Sequence, residues 1–105
     1  MIHFEVGMES LQQTAVRALG PLLHAQPLSP GKVAFAWSIA AGPLLARHGT
    51  PHWHPDGTLY VHARELVWFK ELERAKPVVA ERLAQLLGPG VVRHIAITRS
   101  EFSHA

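Results

Sequence analysis

The run from Trp53 to Leu72 restricts what this chain can fold into more than any other stretch, because its periodicity changes twice with almost no connecting material. Asp56-Gly57 supplies residues that accept positive φ, as a tight hairpin demands, and Pro55 stiffens the approach. Thr58 to Ala63 then alternates, which sets Leu59, Val61 and Ala63 on one strand face and Thr58, Tyr60 and His62 on the other. After Arg64-Glu65 the period becomes helical, with Trp68 and Leu72 one turn apart on one side. A strand face and a helix stripe so close in sequence bury against each other. The other segments are expected to pack around that joint.

Residues 1–9 carry no period and read as a loose start. Ser10 to Gln13 matches a capping box, so a first helix is expected from Ser10, burying Leu11, Ala15, Leu19 and Leu22. Gly20-Pro21 should kink it or end it early, and Pro27 to Gly31 reads as a linker. Val33 to His48 is apolar almost all round, the pattern of a helix central to a core. Gly42-Pro43 should bend that helix, and the bare Gly42 admits a neighbouring backbone. His48 to Pro51 ends it, and residues 51–54 then pair with 58–63.

The helix starting near Arg64 contains Pro77, so it either kinks there or restarts with Pro77 in a first turn. Val79, Leu83, Leu86 and Leu87 continue its apolar stripe until Gly88-Pro89-Gly90. Val91 to Thr98 is a last strand with Ile95 and Ile97 inward, followed from Arg99 by a polar tail. The order helix, helix, strand, strand, helix, strand predicts an α+β sandwich. It has a three-stranded sheet with helices packed on one face and forms a single domain over residues 10–98.

Composition narrows the chemistry. The chain has 105 residues and no cysteine, which removes disulfides and thiolate metal sites and fits a reducing cytoplasm. The uncharged run Val33 to Ala46 is too short for a membrane span, which needs roughly 20 apolar residues, and no leader pattern opens the chain. Between Arg17 and Arg99 lie all ten Lys and Arg against five acids, a net of +5, while Glu5, Glu9 and Glu101 lie outside. A body of that sign permits contact with phosphates or with an acidic partner.

His48, His52, His54 and His62 cluster around the hairpin, a set that can ligate zinc or copper. There is no HExxH helix, and no carboxylate stands in a ligand position, so no metal, cofactor or small-molecule substrate is expected. None of the serines lies in a GxSxG elbow, and neither a Walker loop nor GxGxxG occurs, so the chain reads as non-enzymatic. The remaining signal is basic: Lys70 and Arg74 four apart on one helix face, Arg64 before them and Arg93 at the last strand. With Tyr60 and Trp53 as stacking platforms, these residues are the candidates for following a single-stranded phosphate backbone.

In order, Trp37, Gly42, Pro51, Gly57-Thr58-Leu59-Tyr60-Val61, Trp68 with Leu72, and Ile95 form a set that resembles the DciA family over residues 33–98. The resemblance implies a K-homology-like α+β domain of the bacterial cytoplasm. It also implies a role without catalysis: binding the replicative helicase DnaB and single-stranded DNA, and assisting helicase loading. No GxxG occurs, so the backbone clamp of true K-homology domains is absent and nucleic-acid contact falls to side chains such as Lys70 and Arg74. An RNA-binding module on the same fold, associated with ribosomes or tRNA, is the alternative reading.

Overall fold

The computed structural model describes residues 2–99, with side chains from Leu11 onward. Six elements follow in the expected order: α1 (Ile2–His24), α2 (Pro30–His48), β1 (Gly49–Trp53), β2 (Thr58–Ala63), α3 (Leu66–Leu87) and β3 (His94–Arg99). β2 is the middle strand, antiparallel to β1 and parallel to β3. Parallel neighbours need a crossover, and α3 is that crossover. Leu59, Val61 and Ala63 of β2 are 0% exposed and join one core with Val16 and Leu23 of α1, Val33, Ala36 and Trp37 of α2, and Leu72, Leu83 and Leu86 of α3. The other sheet face is uncovered among the described residues, so the molecule is one helical layer on one sheet, 43 × 40 × 18 Å.

The hairpin is set by its turn. Gly57 has φ +95°, its N–H donates to the His54 carbonyl at 3.0 Å, and the Asp56 carboxylate accepts the Thr58 N–H at 2.9 Å. That hydrogen bond holds the exposed Asp56 carboxyl below its ordinary pKa of 3.8, since it favours the ionised form. The His54 N–H donates to the Thr58 carbonyl, and pairing alternates from there. Gly49, Pro51 and Trp53 therefore turn their backbone groups to the outer edge. Pro51 has no N–H to offer, and the Gly49 carbonyl accepts the buried Trp37 indole N–H at 3.2 Å. The free edge of β1 is thereby blunted against further strand pairing.

Several expectations require correction. α1 begins at Ile2, two turns before Ser10, so the residues read as a loose start are helical. A helix, once nucleated, propagates through a serine whose interior cost is only about 0.5 kcal/mol. α1 also runs through Gly20-Pro21 to His24. Its buried line is Val16, Gly20 and Leu23, with Leu19 half-buried, while Leu11 and Leu22 are 70% and 62% exposed. The period was legible; the phase is fixed by α3, against which Gly20 and Gln13 pack.

α2 begins at Pro30, inside the expected linker: Ser29 is its N-cap, accepting the Lys32 N–H at 3.1 Å, and Pro30 takes the first turn. It is not buried all round, for Phe35 and Leu44 face solvent. The bend at Gly42 is present, with φ +86°. The space of the missing side chain is taken by the Gln12 side chain of α1, not by a backbone. Arg82 donates to the Ala40 carbonyl freed by the bend, at 3.0 Å. β1 starts directly after α2, two residues before the expected Pro51. α3 is continuous through Pro77, which is exposed. β3 begins at His94, three residues after Val91, with Ile95 and Ile97 half-buried against the core. The polar tail beyond Arg99 lies outside the described residues.

Candidate nucleic-acid interface

The alternation of β2 and the two registers determine the uncovered sheet face. Three rows cross it: Thr50, His62 and Thr98; then His52, Tyr60 and Ala96; then Thr58 with His94 beside the turn. His62 Nδ1 lies 3.3 Å from Thr98 Oγ1, and the His54 ring stands edge-on to Tyr60 at 4.7 Å. These rows contain hydroxyls, imidazoles and one phenol, but no carboxylate and no large aliphatic side chain.

A concave site opens at the end of the Thr50–His62 row, where α2 gives way to β1 and β2 to α3. It encloses about 290 Å³ between Arg47, His48, Thr50, His62, Arg64, Glu65 and Trp68. His48 stacks on Trp68 with ring centroids 3.9 Å apart and planes 3° from parallel, which forms one wall. Arg47 and Arg64 are exposed and, among the described residues, neither side chain forms an ion pair or a hydrogen bond. Glu65, the N-cap of α3, makes no side-chain capping bond and is the site's one carboxylate.

The four basic candidates do not form one track. Arg64 lines the concave site. Lys70 and Arg74 lie on the exposed face of α3, about 6 Å apart along its axis, and Arg74 pairs with Glu71 at 3.8 Å. Arg93 sits at the opposite end of β2, its N–H donating to the Gly57 carbonyl at 2.7 Å. Seven residues of extended chain separate Gly57 from Arg64, roughly 20 Å. Trp53 is not a partner of Tyr60 for stacking: it shares the core face with Leu59 and is half-buried there.

The hairpin histidines are drawn to different neighbours, His48 to Trp68, His54 to Tyr60 and His62 to Thr98. Among the described residues no three metal-ligating side chains come together. Arg47 was not expected at the site from the sequence, and His48 was placed only in the hairpin histidine cluster, yet a signal existed. Thr58 opposite His54 fixes the antiparallel register, and extending it past Gly49–Ala63 brings the end of α2 beside Arg64.

Comparison with known families decides the relationship. The family model described as "Dna[CI] antecedent, DciA" matches residues 7–97, from α1 into β3. The chain belongs to the DciA family. Curated relatives of the chain are named UPF0232 proteins. That of Rhodococcus jostii is 31% identical over 71 residues, covering 68% of this chain and 38% of the relative. Those of Mycolicibacterium paratuberculosis and Mycobacterium marinum are 30% and 31% identical over the same length, covering 39% and 38% of those proteins. The chain thus corresponds to about two fifths of the length of these relatives.

In this DciA domain the motif residues are structural. Trp37 ties α2 to the Gly49 carbonyl, Gly42 bends α2, Gly57 turns the hairpin, Leu59, Val61 and Leu72 fill the core, and Ile95 flanks it. Trp68 differs, since its stack with His48 walls the concave site. The family is associated with DNA replication and is not a known enzyme family. Among the described residues no helix is long and apolar enough to cross a membrane.

Proposed function

We propose that this chain is a non-enzymatic adaptor that binds the replicative DNA helicase and weakly contacts single-stranded DNA, assisting helicase loading. The observation that carries this reading is the family match across residues 7–97, which spans the core-forming elements and not one motif. Binding a helicase ring in a loading-competent form shifts the ring's population toward that form by mass action, with no bond made or broken in the adaptor. The division of the surface supports two kinds of partner. The uncovered sheet face is polar and without carboxylates, as suits a phosphate backbone and unstacked bases. The exposed apolar side chains Leu11, Leu22 and Leu44 lie on the helical layer, as suits a protein. Arg64, Lys70, Arg74 and Arg93 are candidate phosphate contacts within this reading.

The test is reconstitution. The chain is mixed with the purified replicative helicase of the same genome, complex formation is followed by size exclusion, and loading is followed by unwinding of a forked DNA. A stable complex with faster onset of unwinding is expected. No co-migration and no change in onset would refute the reading. Competition between oligo-dT and oligo-U of equal length separates it from RNA recognition, since only RNA offers 2′-hydroxyls.

A further inference from the structure

We infer that the concave site between Arg47 and Arg64 is where a phosphodiester of single-stranded nucleic acid is anchored, with the strand continuing across the uncovered sheet face over Tyr60. The inference rests on the DNA-contact part of the proposed function and specifies where that contact is made.

Two arginines line one depression, one from the last turn of α2 and one from the residue after β2. Each side chain is exposed and has no ion-pair or hydrogen-bond partner among the described residues, so its donors remain available to an incoming anion. Lys70 and Arg74 differ in setting: they lie on a convex helix face, and Arg74 already faces Glu71. Thr50 and His62 add further hydrogen-bonding groups to the lining of the site. The volume, about 290 Å³, accommodates a single backbone unit and not a folded segment.

The surroundings distinguish a nucleic-acid strand from an acidic peptide. Beyond His62 the next residue on the same face of β2 is Tyr60, about 7 Å away, the one aromatic in the open rows. A base can stack there while its phosphate lies in the site. A bound peptide would need apolar anchors, and the rows Thr50–His62–Thr98 and His52–Tyr60–Ala96 offer no leucine, isoleucine, valine, methionine or phenylalanine. Glu65 opposes the anion, and this gives the inference a second, opposite-signed consequence.

The experiment measures binding of fluorescent oligo-dT by anisotropy across a salt series, with circular dichroism melts confirming that each variant is folded. The Arg47→Ala/Arg64→Ala double variant is expected to lose on the order of tenfold in affinity. Its salt dependence should flatten by about 1.4, two contacts at roughly 0.7 each. Glu65→Gln should bind more tightly than the parent chain, and Lys70→Ala/Arg74→Ala should lose less than the pocket pair. Parent-like binding by the pocket double variant, or equal losses in the two pairs, overturns the inference while leaving DNA contact intact. Binding of an acidic oligopeptide in place of oligo-dT, abolished by the same pair, also overturns it. A parent chain that binds no oligo-dT at low salt removes DNA contact itself, and the inference with it.

Discussion

Gly49→Ala isolates the joint on which the domain is built. Gly49 is the residue at which α2 becomes β1, and its φ of −132° suits any residue, so the substitution carries no backbone strain. What opposes it is space. A Cβ there would lie 2.8 Å from Val61 Cγ1 and 3.1 and 3.3 Å from the two Leu72 methyls, against about 3.5–4.0 Å for a relaxed carbon contact. Val61 and Leu72 are fully buried, so neither can yield without disturbing β2 or α3. Overpacking of this kind costs about 1–3 kcal/mol. In a domain of this size 2 kcal/mol corresponds to a fall in Tm of roughly 10 °C. Val61→Ala alone removes a buried side chain for about 2 kcal/mol, but it also removes the atom nearest the new methyl. The two substitutions together should therefore cost about 1 kcal/mol less than their sum in urea denaturation, because contacting sites do not add. Additivity within about 0.3 kcal/mol would mean that strand and helix do not meet at Gly49, and the reasoning would fail.

Further outcomes follow from the corrected helix and from the turn. Leu22→Ser should change stability by less than about 0.5 kcal/mol, whereas Leu23→Ala, one residue on and buried, should cost about 2–5 kcal/mol by urea titration. The Asp56 carboxyl is held below its ordinary pKa, so its contribution to stability is present above pH 3.8 and lost as pH falls through the lowered folded value. Melts from pH 6 downward to about pH 2 should show the parent chain losing stability relative to Asp56→Asn only below about pH 4; a parallel decline would contradict this. Gly57→Ala places a methyl 2.9 Å from Arg93 Cγ at φ +95°, so it should lower Tm more than Gly90→Ala, where φ is +89° but nothing lies within 4 Å.

The sequence made the hairpin legible because its turn chemistry, alternation and register are all local: Asp56-Gly57, Thr58 to Ala63 and the shift to helix at Arg64-Glu65 agree with one another. Layering and element order followed from that agreement. The phase of α1 was not local. Leu11, Ala15, Leu19 and Leu22 form as good a stripe as the buried one, and only the packing of Gly20 and Gln13 on α3 selects between them. The onset of α2 was misread for another reason: Ser29-Pro30 serves equally well as a turn and as an N-cap with a first-turn proline. In the candidate site, His48, His62, Arg64 and Trp68 were visible, whereas Arg47 joined them only through a register two residues longer than expected. Sequence separation hid the second guanidinium of the concavity.

The most direct measurement is a titration of the 15N-labelled chain with oligo-dT, following backbone amides and the three indole N–H signals. Shifts are expected to concentrate at Thr50, Tyr60, His62, Arg64 and the Trp68 indole, with the Trp37 indole, buried against Gly49, unmoved. Shifts confined to α1 and the outer face of α3, with the sheet face silent, would contradict that expectation.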